Sequence, residues 1–140
     1  MTMAKIEGGC LCGSVRYRSS AEPLMTVVCQ CTHCQSTSGG PYSVMLALPK
    51  GSHEFSGETP ATYVDTGTSG LPVYRRFCGT CGSPLVTDAE AAPNMHFLKT
   101  GSLDDASWLR PQAAIWCDSA LSWAPLPEGL AQVPQNPAFG

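Results

Sequence analysis

Seven of the eight cysteines fall in three tight groups: Cys10-x-Cys12, Cys29-x-Cys31-x-x-Cys34 and Cys78-x-x-Cys81, with Cys117 outside them. Thiols one or two residues apart can turn both sulfurs toward one ion, so this spacing points to metal. In an extended segment residues i and i+2 share a face. Cys10 with Cys12, and Cys29 with Cys31, therefore each offer a two-sulfur bite without a special turn. Cys78-Gly79-Thr80-Cys81-Gly82 reads as a knuckle, whose backbone amides donate to the sulfurs and whose Gly82 tolerates the left-handed conformation that follows. Seven thiols divide into one closed four-sulfur site and one three-sulfur site with an open position, where a substrate can bind. The spacing alone leaves open which Cys-x-Cys joins Cys78 and Cys81.

Two other chemistries compete for these thiols. Eight cysteines admit about 105 disulfide pairings, but neighbours as close as Cys10 and Cys12 make such a framework awkward. Cys-Gly-Thr-Cys also looks like a thioredoxin-type dithiol. That motif belongs at a strand-to-helix junction, and here Gly82-Ser83-Pro84 follows.

The elements that must position these residues are mostly strands. Alternation of period two marks 14–18 and 42–48, where Tyr42, Val44, Leu46 and Leu48 share a face. Further apolar or β-branched runs at 24–28, 61–66, 73–77, 95–100 and 113–117 are separated by Gly, Pro, Ser and Asp clusters. The expected fold class is mainly β and mainly antiparallel. The one helical signal is 104–109, which starts on Asp104 and Asp105 and stops before Pro111. Gly39, Gly40 and Pro41 are expected to turn the chain away from the metal. With 140 residues the chain fits a single domain over 1–140, burying roughly two thirds of the surface its unfolded form exposes. The segment 124–140 carries Pro125, Pro127, Pro134 and Pro137. It should run extended over the surface, docked through Leu126, Leu130 or Phe139, or else be disordered.

Eight basic residues are scattered against eleven acidic ones, so there is no basic stripe of the kind a phosphate backbone requires, and nucleic acid is a poor partner. No apolar run approaches the roughly 20 residues of a membrane span. The start, MTMAKIEGG, lacks an apolar h-region, and free thiols suit a reducing compartment, so a cytoplasmic location is the default expectation.

Gly9-Cys10-Leu11-Cys12-Gly13-Ser14-Val15-Arg16-Tyr17, Cys29-Gln30-Cys31-Thr32-His33-Cys34, Phe77-Cys78-Gly79-Thr80-Cys81-Gly82-Ser83-Pro84-Leu85, Thr100-Gly101-Ser102-Leu103-Asp104-Asp105 and the late Trp123 stand in a familiar order. The chain resembles the glutathione-dependent formaldehyde-activating enzymes, also called the centromere protein V domain family. The resemblance implies an Mss4-like, zinc-stabilised β fold with little helix and two Zn2+ per chain. By it, Cys10, Cys12, Cys78 and Cys81 match the structural-zinc ligands, and Cys29, Cys31 and Cys34 the catalytic ones. It also implies a carbon–sulfur lyase or synthase that joins a thiol, glutathione or similar, to formaldehyde or a related small aldehyde. The chemistry suits the ligands, because three thiolates match zinc to a further soft sulfur better than they acidify water.

Several residues near these groups have both a functional and a plain reading. Arg76 shares strand parity with Cys78 and can hold a substrate carboxylate or support the thiolates, or it is a solvated surface arginine. His33 lies inside the ligand loop and is either an acid–base group or an exposed loop histidine. His96 reads as polar filler of a strand and His53 as turn surface, while Trp116 and Trp123 read as core or pocket wall. Cys117 is a small buried hydrophobe, a fourth sulfur that closes the second site into a structural binding module, or a nucleophile. The last rests on a faint likeness to the B-type methionine sulfoxide reductases.

Overall fold

The computed structural model describes residues 6–136. Its strands are β1 Ile6–Gly9, β2 Val15–Ser19, β3 Met25–Cys29, β4 Ser43–Pro49, β5 His53–Gly57, β6 Ala61–Thr66, β7 Pro72–Phe77, β8 Pro84–Ala89, β9 Met95–Lys99, β10 Ala113–Ile115 and β11 Ala131–Gln132, with one helix, α1, at Thr32–Ser38. They form a three-stranded sheet, β1-β2-β5, and an eight-stranded sheet, β11-β10-β3-β4-β9-β8-β7-β6. The expected mainly β fold is what is observed. Pairing is antiparallel except at β10, which lies parallel to both β3 and β11.

Alternation along the large sheet sorts its side chains into two layers. Leu46, Leu48, Val86 and Leu98 face the small sheet and pack with Ile6, Val15 and Tyr17. Val27, Cys29, Met45, Ala47, Phe97 and Ile115 lie on the opposite face. Each fully buried Leu or Ile in the first layer contributes about 1.5–3 kcal/mol, so this layer holds the sheets together. The second face has no sheet to cover it. It is bordered instead by α1, the 66–69 turn and the chain after β10.

The expected helix at 104–109 is not formed. Asp104 is drawn into an ion pair with Arg16, and Asp105 Oδ1 accepts from the Ser107 amide at 2.9 Å, a local turn that competes with helix. The helix that does form has no apolar periodicity to announce it. It starts because Cys31 caps it, its sulfur accepting from the Cys34 amide at 3.2 Å, and it stops at Gly39 in the left-handed conformation (φ 71°). The Gly39 turn is thus as expected. Within 124–136 the chain turns at Gly129, in the left-handed conformation (φ 87°). It adds β11 to the sheet and seats Val133 against the second layer. Pro137 and Phe139 lie outside the described residues.

His53 and His96 are not surface groups. His53 belongs to β5, and its ring stands 3.8 Å, centroid to centroid, from that of His96, which is fully buried between the sheets. Neither ring nitrogen of His96 has a hydrogen-bond partner among the described residues. Burial and the adjacent His53 hold the His96 pKa down to about 4, with Lys50 and Arg76 adding to the effect and Asp88 opposing it. Because the unfolded imidazole titrates near 6.5, the unfolded chain takes up a proton that the native one refuses as pH falls through this window. Stability present above about pH 6.5 should therefore be lost by up to about 3 kcal/mol on acidification toward pH 4. Urea melts at pH 7 and pH 4.5 check this, with His96→Phe expected to lose less than the wild type. Equal losses would remove His96 as the cause.

Candidate metal centres

Cys10 and Cys12 sit in the turn between β1 and β2, and Cys78 and Cys81 in the turn between β7 and β8. The first turn belongs to the small sheet and the second to the large one. Their four sulfurs lie within 4.8 Å of one another. An ion bound tetrahedrally with Zn–S distances of about 2.3 Å places its sulfurs about 3.8 Å apart. Here Cys10 Sγ and Cys12 Sγ are 3.6 Å apart, and Cys12 Sγ and Cys78 Sγ 3.7 Å, so the donor set fits one zinc-sized ion.

The sulfurs are also dressed as metal thiolates are. Cys10 Sγ accepts from the Val15 amide at 3.2 Å, and Cys78 Sγ from the amides of Thr80 and Cys81 at 3.4 Å. The Ser14 hydroxyl lies 3.2 Å from Cys12 Sγ and 3.3 Å from Cys78 Sγ. Gly82 takes the left-handed conformation that the knuckle predicts (φ 80°). No helix follows Cys81, so the thioredoxin geometry is absent, and all eight cysteines are free thiols.

The second group gathers Cys29 from the end of β3, Cys31 from the cap of α1 and Cys34 from its first turn. These three sulfurs also lie within 4.8 Å of one another. Hydrogen bonds from Cys29 and Cys34 pull the Cys31 pKa far below its ordinary value, while that of Cys29 is pushed up, chiefly by Cys31. The three sulfurs can hold an ion and leave one tetrahedral position for another ligand.

Cys117 does not join them. Its sulfur accepts from Gln30 Nε2 at 3.4 Å and lies 3.5 Å from the Ala114 carbonyl oxygen. Gln30 is itself buried, so its amide anchors the Cys117 turn instead of a metal. The fourth-sulfur expectation for Cys117 therefore fails, and the second group stays at three thiols.

Around the three thiols stand Lys99 and Arg75. Lys99 is buried, its Nζ donates to Ser43 Oγ at 2.9 Å, and among the described residues no carboxylate pairs with it. Burial lowers its pKa, while Cys34, Cys29 and Cys31 all favour its charge. Arg75, and not Arg76, is the arginine of this site. Burial opposes the Arg75 charge, but Asp65, at 2.9 Å, and Cys34 outweigh it. Arg76 faces the other layer and pairs with Asp88 at 3.0 Å. Arg76 shares its parity with Cys78, which packs in the first layer with the four-thiol group, so alternation along β7 turns Arg75 and not Arg76 toward the three thiols.

His33 Nδ1 is 2.6 Å from Asp65 Oδ2, the oxygen that also receives Arg75. Burial works against the Asp65 charge, yet His33, Arg75 and the Thr66 amide hold its carboxyl below the ordinary range. With Nδ1 engaged, Nε2 of His33 is the ring nitrogen left for other partners. Cys29, Cys31, His33 and Cys34 all lie on the wall of a cavity of about 370 Å³. Trp116 lines the same cavity and is the one non-glycine with positive φ (58°) among the described residues. Trp123 is exposed and lines none of it.

Residues 5–119 match the family described as glutathione-dependent formaldehyde-activating enzyme. No curated protein matches the chain. Among solved structures, a crystal structure of a Rhodobacter sphaeroides protein is similar. It superposes with a TM-score of 0.58 at 18% sequence identity, over 71% of this chain and 88% of that one. At that identity the likeness speaks for the fold. No described helix is long and apolar enough to cross a membrane.

Proposed function

The chain belongs to the glutathione-dependent formaldehyde-activating enzyme family, and from that membership we propose that it is a zinc-dependent carbon–sulfur lyase. It adds a small thiol, glutathione or similar, to formaldehyde or a related aldehyde, and releases the aldehyde in reverse. The observation that carries this reading is that three converging thiols, backed by Lys99 and Arg75, lie on the wall of the 370 Å³ cavity.

In this reading Cys10, Cys12, Cys78 and Cys81 hold a structural zinc ion, and Cys29, Cys31 and Cys34 the reactive one. A zinc ion held by Cys29, Cys31 and Cys34 would supply one thing, Lewis acidity toward the substrate thiol that lowers its pKa. Every other part of the task falls to side chains. Lys99 and Arg75 offset the negative charge that three thiolates and a fourth sulfur bring together. Asp65 orients the His33 ring, so that Nε2 can take the thiol proton and return it to the carbonyl oxygen. The cavity wall holds the aldehyde against the sulfur, which turns a bimolecular encounter into a positioned addition. Electrons and atoms balance without a redox partner: the S–H bond breaks, an S–C bond forms, the C=O π bond opens and the proton ends on oxygen.

Exchange between formaldehyde, glutathione and their adduct, followed by NMR with the two-zinc protein, tests the reading. Exchange faster than in protein-free buffer is expected, and an unchanged rate overturns it. Lys99→Met gives a second check. Removing a buried cation that stands behind metal ligands should weaken the three-thiol ion by roughly 10–100-fold in a chelator competition, with the four-thiol ion unaffected. Unaltered affinity would mean that Lys99 does not serve the thiolates.

A further inference from the structure

Alternation in the large sheet lays the floor of the cavity beside the three thiols. Val27, Met45, Phe97 and Ile115 come from four adjacent strands, β3, β4, β9 and β10, and share the layer that carries Cys29. Trp116 and Val133 raise one side of it, and Val73 and Ala89 the other. The polar residues of the wall are Thr, Ser and Asn side chains with His33 and Arg75, and Arg75 is already taken by Asp65. Lys99 is buried away from the cavity wall. A volume of about 370 Å³ accommodates roughly a dozen water-sized groups. Formaldehyde has two non-hydrogen atoms and leaves most of that space unfilled.

Glutathione cannot be what fills it. Its two carboxylates and its ammonium would need free counter-charges, and an apolar floor would strip their water without replacing it. Trp116 adds a second argument, because a bulky residue is held at positive φ only where the surrounding structure enforces it. Its backbone is fixed by the Gln135 carbonyl, which accepts from the Trp116 amide at 3.2 Å, and its indole donates to Asn136 Oδ1 at 2.7 Å. The turn of chain at Trp116 therefore commits a large aromatic to closing the apolar side of the cavity.

We propose that the carbonyl substrate is an uncharged aldehyde with an apolar body of about five to nine carbons, seated on the Val27–Met45–Phe97–Ile115 floor with its carbonyl carbon at the three thiols. The thiol enters from the open side, where any charged body it carries stays in water. This inference rests on the thiol–aldehyde reading of the site and narrows its substrate class.

The test compares formaldehyde, acetaldehyde, butanal and hexanal with the two-zinc protein and one thiol, 2-mercaptoethanol, and adds a binding measurement that needs no reaction. Each buried methylene is worth about fourfold, so kcat/KM should rise on the order of a hundredfold from acetaldehyde to hexanal. Saturation-transfer NMR should show 1-hexanol, which has the chain and no carbonyl, bound with or without zinc at the three thiols. Ala89→Phe, which fills the cavity from β8, should lower both 1-hexanol binding and the hexanal-to-formaldehyde ratio by tenfold or more. Formaldehyde turnover with no gain along the series and no 1-hexanol binding would overturn the apolar substrate and leave thiol addition standing. Binding of 1-hexanol with no aldehyde turned over would keep the apolar ligand class and overturn the lyase reading.

Discussion

Replacing Cys78 with serine is expected to abolish cooperative folding. Cys78 is fully buried, its sulfur receives two backbone amides, and it belongs to the four-thiol group that joins the turn after β1 to the turn after β7. An ion there would tie the small sheet to the large one. Structural zinc in small domains contributes about 10–16 kcal/mol, against a net stability of about 5–15 kcal/mol for a whole domain. Losing one of four sulfurs therefore removes more than the fold has to spare. Thermal melts by circular dichroism should show no sigmoidal transition for Cys78→Ser, and a strong chelator should bring the wild type to the same state. A variant that still melts cooperatively within a few degrees of the wild type would show that the fold does not depend on an ion at the four-thiol group.

Cys31→Ser should do the opposite, keeping the fold and losing the chemistry. Cys31 caps α1 through its side chain, and serine is itself a favoured N-cap that can accept from the same Cys34 amide. The substitution thus isolates the sulfur's role toward metal from its role in the helix. Catalysis should fall on the order of a thousandfold, equivalent to several kcal/mol of lost transition-state stabilisation. Native mass spectrometry should find one zinc ion fewer per chain than the two expected for the wild type, with the melting curve little changed. Full activity in this variant would falsify the three-thiol centre as the reactive one.

The contrast between these variants follows from features of unequal visibility in the sequence. The cysteine spacing announced metal-sized thiol bites, because each bite is local and survives in the primary structure, but it left open which Cys-x-Cys joins Cys78 and Cys81, a pairing made across 66 residues. Strands such as Ala61–Thr66 were legible from β-branched runs. His53–Gly57 was not, since its polar residues suit a turn until the small sheet pairs them with β2. Helix α1 was hidden for a different reason: a thiol cap and seven residues without apolar period leave no pattern. Lys99 carried a usable signal, a lone cation in phase with Phe97 in an apolar strand. Asp65 carried none, because its partnership with Arg75 and His33 depends on where β6 and α1 meet in space. The exchange of Arg76 for Arg75 follows plain alternation along β7; what the sequence lacked was which layer holds the three thiols.

The two thiol groups also differ in how much chain they enclose. Cys29, Cys31 and Cys34 lie within one short stretch, whereas Cys12 and Cys78 are separated by 66 residues. Closing the larger loop costs conformational entropy that only a folded chain has already spent, so the four-thiol group cannot preform. The shorter stretch can chelate an ion while the chain is still unfolded, and an ion that binds the unfolded chain as well stabilises the native one less. Metal taken up at the three-thiol group is thus nearly silent in the folding equilibrium, and metal taken up at the four-thiol group is strongly coupled to it. During synthesis the reactive centre can be charged first, on a nascent segment, while the sheets lock only after Cys81 has emerged and found Cys10 and Cys12.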